Sequence, residues 1–206
     1  MQCDRLAPFY RTMEFLSAGR KLQRCRMEFL EEIPAPRALL LAGEGHGRFP
    51  PECVRLFPAT RITVIDSSAG MLEIARSKTD SDRIEYIHAD LLEWDSSPGA
   101  FDLIVTNFFL DCFGPDELAA VIRKLAALAT PSADWLLADF EIPASGPARL
   151  RGRLIIGLLY QFFRLATGLQ TSALVPPDEI LAATGFTRHR RTTRDWGLLK
   201  SEWWRR

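Results

Sequence analysis

The chain has 206 residues, which is the usual length of one domain and too short for two independent ones. With 26 basic and 26 acidic side chains its formal net charge is zero, so no overall field favours nucleic acid or an anionic membrane as a partner. A hydrophobic share of 47% and a charged share of 25% are typical of globular proteins and exclude a disordered chain.

The amino terminus and the cysteines favour a cytoplasmic protein. Residues 1–5 carry charges where a signal peptide needs apolar side chains, and no apolar run approaches the roughly 18 residues of a membrane-spanning helix. The four cysteines, at 3, 25, 53 and 112, are scattered, so we expect free thiols. The three histidines, at 46, 88 and 189, are far apart in sequence, and no metal site is predicted.

The first 36 residues predict a helical cap, and the next hundred predict alternating strands and helices. Apolar residues recur at three- and four-residue steps, which indicates two helices broken near Gly19 and stopped by Pro34. Strand-type runs follow at 38–42, 61–65, 84–87, 101–106 and 135–140, separated by helix-type runs at 50–57, 68–77 and 116–129. Such alternation is typical of an α/β fold with a mostly parallel sheet covered on both faces.

The alternation ends after residue 142. Residues 149–167 predict one long apolar helix, 177–184 a short one, and 186–192 and 197–204 two strands. Their connection is too short for a crossover helix, so these two strands must pair antiparallel. The long helix either packs on the core or forms a lid over a hydrophobic ligand. We expect a single domain over 1–206, with a cap (1–36), a first sheet half (37–142) and a lid with terminal strands (143–206).

A glycine-rich segment joins the first strand to the following helix. Gly43, Gly45 and Gly47 alternate there, which lets the backbone turn tightly and approach a ligand, while the helix start offers free N–H groups. A nucleotide-like ligand is therefore indicated. The nicotinamide fingerprint fits poorly, because the position of its third glycine is Arg48.

Acidic residues stand at the ends of the next two strands. Asp66 lies 19 residues after Gly47, where a carboxylate can accept hydrogen bonds from both hydroxyls of a ribose; alternatively, it caps the following helix. Asp90 follows the third strand and could accept a hydrogen bond from an adenine amino group. Because the carboxyl ends of parallel strands meet at one edge of a sheet, these groups are expected to share a crevice.

With these motifs the sequence resembles the class I S-adenosylmethionine-dependent methyltransferases. The resemblance extends from residue 39 to 204 and implies a Rossmann-like three-layer sandwich with seven strands, the last one antiparallel. It also implies that the glycines pass the methionine portion of S-adenosylmethionine and that Asp66, Met71 and Asp90 bind ribose, adenine ring and adenine amino group. The further residues that carry it are Ser67, Leu91 and Asn107.

One position departs from the family pattern. Many members carry an acid two residues before the first glycine, and this chain has Leu41 there. We predict that Glu44, inside the loop, supplies the missing carboxylate to the cofactor's ammonium group or to a bridging water. A solvent-facing Glu44 is the alternative.

The segment after the fourth strand is the expected acceptor site. Three phenylalanines, a leucine and Asp111 form an apolar wall with one acid, which suits the dry, aligned site that methyl transfer requires. Asp111 is the candidate base or orienting acid, or else a turn cap. His46, in the glycine loop, is a second candidate base. Asp139 and Glu141, at the end of the fifth strand, are candidates to contact the acceptor, or else they cap a helix or face solvent.

The sequence therefore predicts a transferase that methylates a small acceptor, apolar or aromatic, at oxygen or carbon, with S-adenosylhomocysteine as product. No nucleic acid partner, no membrane insertion, and a monomer or homodimer are expected. A cofactor-binding protein without transferase activity is the alternative, because of Leu41. A nicotinamide oxidoreductase is disfavoured by Arg48 and by the terminal strand pair.

Overall fold

The structure is a computed structural model that describes residues 19–45, 47–167 and 174–206. The first predicted helix of the cap and His46 lie outside the described residues. The described part of the cap consists of helix α1 (Gly19–Met27) and a single 3-10 turn at Leu30–Glu32.

A seven-stranded sheet forms the centre of the described chain. Its strands, in chain order, are β1 (Ala38–Ala42), β2 (Arg61–Asp66), β3 (Ile84–His88), β4 (Phe101–Asn107), β5 (Ala129–Phe140), β6 (Thr187–Arg194) and β7 (Leu199–Arg205). The spatial order is β3-β2-β1-β4-β5-β7-β6. Strand β7 runs antiparallel to both of its neighbours, and the other pairs are parallel. The predicted fold class is confirmed.

The remaining helices connect these strands. They are α2 (Pro50–Leu56), α3 (Ala69–Lys78), α4 (Pro115–Leu128), α5 (Gly146–Thr167) and α6 (Asp178–Ala183). Prolines in the first turns of α2 and α4 stand where a missing N–H costs no helical hydrogen bond. Ser68 caps the start of helix α3: its hydroxyl accepts a hydrogen bond from the backbone N–H of Met71, at 3.2 Å.

The two faces of the sheet carry separate hydrophobic clusters. In β1, Leu40 packs in the cluster that includes Val121 and Leu125 of α4. Its neighbour Leu41 points to the opposite cluster, which contains Cys53 of α2. A strand that is buried on both faces has a continuous run of apolar residues, and β1 has such a run. The sheet is therefore the middle of three layers.

Helix α5 lies at the sheet edge where the parallel strands end. Its buried residues Ile156 and Tyr160 pack with Leu198, at the start of β7, and with Cys112, after β4. The opposite face of α5 exposes Leu150, Leu154 and Leu158. Across the described ranges, no helical stretch has the length and apolarity that spanning a bilayer requires.

Candidate active site

The glycine loop after β1 adopts a backbone that disfavours other residues. Gly43, Gly45 and Gly47 have φ of +66°, +64° and +69°. A Cβ on Gly43 would lie 2.0 Å from the ring of Phe109, and one on Gly47 would lie 2.5 Å from Cα of Ala75. A Cβ on Gly45 would meet nothing within 4 Å. The loop is thus tightly packed at both ends and open at its middle glycine.

Asp66, at the end of β2, fixes the middle of this loop. Its Oδ2 accepts a hydrogen bond from the backbone N–H of Gly45, at 3.2 Å, and its Oδ1 accepts one from the N–H of Ser68, at 2.9 Å. The carboxylate therefore connects the loop to the start of α3. Each carboxylate oxygen has a second lone pair, so these bonds leave acceptor capacity for a ligand.

A cavity of about 60 Å³ opens beside Asp66. It is bordered by residues that follow β2, β3 and β4 and by two residues of α4. The lining residues are Ile65, Asp66, Ser67, Ala89, Asp90, Leu91, Leu92, Phe109, Phe113, Glu117 and Val121. The structure thus brings together four of the residues that the sequence assigned to a cofactor site, namely Asp66, Ser67, Asp90 and Leu91.

The other predicted cofactor residues take different positions. Asp90 is exposed, and its Oδ1 accepts a hydrogen bond from the N–H of Leu92, at 2.9 Å. Met71 is buried in the first turn of α3 and does not border the cavity. Asn107 is buried at the end of β4, and no group in the described part of the chain accepts a hydrogen bond from its Nδ2. A buried amide without a partner is costly, so Asn107 leaves a donor for a bound molecule.

Glu44 is buried rather than solvent-facing. Its Oε1 accepts a hydrogen bond from the backbone N–H of Phe49, at 2.9 Å. This contact places a carboxylate at the start of α2, where the helix dipole favours negative charge. Leu41 is fully buried in β1, so the position that carries an acid in many family members is apolar here. The predicted contact of Glu44 with the cofactor stays a prediction.

Two buried carboxyl groups lie together at the ends of β4 and β5. Asp111 lies in the 3-10 turn Leu110–Cys112, and Asp139 is the penultimate residue of β5. Asp111 is 8% exposed to solvent and Asp139 is 3% exposed, and their side chains are hydrogen-bonded to each other. Burial raises the pKa of Asp111 to about 6. Burial, and next the charge of Asp111, raises the pKa of Asp139 well above its ordinary value.

Helix α5 is fixed to this acid pair. The hydroxyl of Tyr160 donates a hydrogen bond to the backbone carbonyl of Asp111, at 3.0 Å. Burial, followed by the charges of Asp111 and Asp139, raises the pKa of Tyr160, so the phenol stays protonated and remains a donor. The long helix that the sequence predicted over 149–167 is thus attached to the segment that follows β4.

A second cavity, of about 130 Å³, opens on Asp139. It lies beyond the ends of β5 and β7 and is lined by two buried charged side chains and an apolar wall. The lining residues are Asp139, Phe140, Glu141, Ile142, Leu174, Val175, Pro176, Pro177 and Lys200. Lys200 stands opposite Asp139 in the β5–β7 pair, and its Nζ lies 3.4 Å from Asp178 and 3.7 Å from Glu202.

Sequence reasoning identified part of this second site. Asp139 and Glu141 were candidates to contact the acceptor, and both line the cavity; Glu141 also pairs with Arg191. Lys200 was not singled out. The available signal was the presence of two charged residues, Lys200 and Glu202, two positions apart in a run that ends with two tryptophans and that the structure buries along most of its length.

Comparison with known proteins supports a methyltransferase. A family model described as a methyltransferase domain matches residues 39–132. The chain is 33% identical over 103 residues to a malonyl-[acyl-carrier protein] O-methyltransferase of Priestia megaterium, covering 50% of this chain and 36% of the relative. It is 35% identical over 105 residues to a trans-aconitate 2-methyltransferase of Paracidovorax citrulli, covering 50% and 39%. The chain thus spans well under half the length of these relatives.

A solved structure shares the fold over nearly the whole chain. The 1,6-didemethyltoxoflavin-N1-methyltransferase of Burkholderia thailandensis, solved with 1,6-didemethyltoxoflavin and S-adenosylhomocysteine, superposes with a TM-score of 0.70. The sequence identity is 17%, with 98% of this chain and 85% of that chain covered. The strand order, the glycine loop and the family match agree with one another. Residues 39–132 therefore match a methyltransferase domain, and the chain has the fold of a solved S-adenosylhomocysteine-bound methyltransferase.

Proposed function

We propose that this chain is an S-adenosylmethionine-dependent methyltransferase that modifies a small, largely apolar acceptor at oxygen or carbon. The observation that carries the proposal is the cavity bordered by the ends of β2, β3 and β4, directly beside the glycine loop. The bound cofactor would supply an activated methyl group on a sulfonium. The protein's part is then to hold this group in line with the acceptor and to exclude water.

The residues around the first cavity suit S-adenosylmethionine. Asp66 offers carboxylate lone pairs to the ribose hydroxyls, and Asp90 offers an acceptor to the adenine amino group. The open space at Gly45 allows the methionine portion to pass close to the backbone. Asn107 supplies an unused donor at the end of β4.

Calorimetric titration with S-adenosylhomocysteine tests the cofactor site. The Asp66→Asn variant should bind at least tenfold more weakly, because a hydrogen bond to a charged group contributes roughly 1.5–3 kcal/mol. Asp95→Asn, at an exposed loop position, is the matched control and should bind as the unchanged protein does. If the unchanged protein takes up no S-adenosylhomocysteine, the proposed function is wrong.

The same titration tests Glu44. Glu44→Gln keeps an oxygen that can accept from the N–H of Phe49 but removes the charge. Weaker binding by the glutamine variant, with unchanged thermal stability, supports a contact with the cofactor's ammonium group. Equal binding would leave Glu44 with its role at the start of α2 alone.

A cofactor-binding protein without transferase activity is the second candidate. The burial of Leu41 inside β1 favours it, because the acid that many family members carry at this position has no counterpart there. Incubation with labelled S-adenosylmethionine and a panel of phenolic and quinone acceptors separates the two candidates. Cofactor binding without transfer to any acceptor would favour the second.

A further inference from the structure

The two cavities lie on either side of the short segment that follows β4. Phe109 lines the first cavity, and Asp111, two residues later, is hydrogen-bonded to Asp139, which lines the second. All of these residues lie at the sheet edge where the parallel strands end. A methyl group carried in the first cavity and an acceptor held in the second would meet at this segment.

The acid pair holds one proton, and among the described residues no cation forms a salt bridge with it, although the charge of Lys200 acts on Asp139. A hydrogen bond between two carboxyl groups requires that one of them be protonated, and two carboxylates this close cannot both ionise easily. The titratable groups that face the pair are Cys112, whose Sγ lies 3.7 Å from Asp111, Tyr160 of α5 and Lys200 of β7. Lys200 contacts Asp178 and Glu202 as well, so its charge is shared.

We propose that Asp139 is the catalytic base for an acceptor hydroxyl, that Asp111 positions it, and that the second cavity binds the acceptor. This inference rests on the proposed methyl transfer and assigns the acceptor to one chemical class, a hydroxyl compound about the size of a single ring. Asp139 is the member of the pair that lines the cavity. Asp111 reaches the acceptor only through Asp139.

The proposed step balances in atoms and charge. The acceptor oxygen forms a bond to the methyl carbon with a lone pair, and the bond from that carbon to sulfur breaks with its electron pair left on sulfur. The hydroxyl proton moves to Asp139 while Asp139 passes its own proton to the ionised Asp111, so the pair gains one proton in total. The sulfonium charge and the carboxylate charge disappear together, so no other reactant is needed. The proton is released to water after the product leaves.

The dimensions and walls of the cavity define the acceptor. A volume of about 130 Å³ is close to the roughly 150 Å³ that accommodates benzene in an engineered cavity. Ile142, Leu174 and Val175 supply the apolar wall. A carboxylic acid acceptor is disfavoured, because it arrives ionised, needs no base and is repelled by the negative pair.

A titration without any acceptor tests the shared proton. The carboxyl carbons of aspartate are labelled with ¹³C, and their NMR shifts are followed with pH in the unchanged protein and in Asp139→Asn, Asp111→Asn and Asp95→Asn. We expect two coupled signals with a step near or above pH 6 in the unchanged protein and in Asp95→Asn. In Asp139→Asn the remaining Asp111 signal should titrate in a single step that is no longer coupled to a second carboxyl group. Two independent steps near the ordinary value would overturn the inference.

Methyl transfer to phenols tests the base itself. Asp139→Asn should lower kcat about 100-fold, the lower range for loss of a general base, while the Kd for S-adenosylhomocysteine stays unchanged. A nitro-substituted phenol, which is ionised at neutral pH, should restore most of the lost rate in Asp139→Asn. A merely structural role for Asp139 would slow both acceptors equally and would contradict the proposal.

The outcomes separate this inference from the proposed function. Failure to bind S-adenosylhomocysteine would overturn both. Cofactor binding with transfer to carboxylic acids but not to phenols would overturn the assigned acceptor class and leave the methyltransferase function standing.

Discussion

At the scale of single residues, the shape of the first cavity depends on which glycines have room for a Cβ atom. Gly43 and Gly99 share a φ of +66°, so both positions disfavour other residues to a similar degree. They differ in surroundings: the ring of Phe109 fills the space at Gly43, whereas the space at Gly99 is empty. A substitution at Gly99 therefore measures backbone strain alone, whereas the same substitution at Gly43 adds a collision with Phe109.

Gly43→Ala should therefore destabilise the protein more than Gly99→Ala. The alanine methyl group would displace Phe109 from the wall of the first cavity, and such overpacking costs roughly 1–3 kcal/mol beyond the strain common to both sites. Urea denaturation of the two variants measures the difference, and S-adenosylhomocysteine titration measures the effect on the cavity. Equal losses of stability at the two positions would contradict the packing at Gly43.

At the scale of elements, helix α5 is held by a small apolar cluster and by polar contacts along its length, which include those of Arg151 with Asp195 and of Tyr160 with Asp111. Tyr160 donates to the carbonyl of Asp111, and Ile156 packs with Leu198. The sequence predicted the helix over 149–167 and left open whether it packs on the core or covers the acceptor; the structure shows it over Gly146–Thr167. No periodicity could reveal its attachment, because the partner of Tyr160 lies 49 residues earlier.

Tyr160→Phe removes this hydrogen bond and keeps the ring. We expect a loss of about 1 kcal/mol in the free energy of unfolding, typical of one buried hydrogen bond, and faster hydrogen exchange in the second half of α5. Tyr160→Leu, which removes both ring and hydroxyl, should cost more. If the phenylalanine variant matches the unchanged protein in both measurements, the contact does not hold the helix.

The boundaries of β5 show another limit of sequence patterns. The prediction began at residue 135, whereas the strand begins at Ala129, directly after α4. Pro131 and Ser132 resemble a turn, but both are exposed near the start of the strand, where a proline that donates no hydrogen bond is tolerated. The glycine loop and the strand-end acids were predictable because they follow local strands. The contact between Asp111 and Asp139 was not predictable, because it forms only when two segments that are distant in sequence are buried together.

At the scale of the whole molecule, the acid pair gives stability a defined dependence on pH. The folded pKa of Asp111, about 6, lies above the ordinary 3.8, so the folded state binds more protons than the unfolded state between these values. The free energy of unfolding therefore falls as pH rises through this window. Asp178 and Asp195 have lowered pKa values, owing mainly to Lys200 and to Lys21 respectively, against the effect of burial. Their contribution is lost below pH 3.8, outside this window.

Asp111→Asn should flatten this dependence. For the unchanged protein we expect a decrease on the order of 3 kcal/mol between about pH 4 and pH 7, since each unit of pKa shift corresponds to about 1.4 kcal/mol. Urea denaturation across this range measures it, with Asp95→Asn as a control that retains the full slope. A variant slope equal to that of the unchanged protein would show that the pair is not the source.

The position of β7 between β5 and β6 has a consequence for biosynthesis. The strands that border the first cavity are translated early, whereas Lys200 arrives only with the strand that is made after β6 and inserted beside β5. Until then one edge of β5 has no hydrogen-bonding neighbour, which exposes a nascent chain to intermolecular pairing. The half of the sheet that borders the first cavity can therefore form on the ribosome before the half that borders the second.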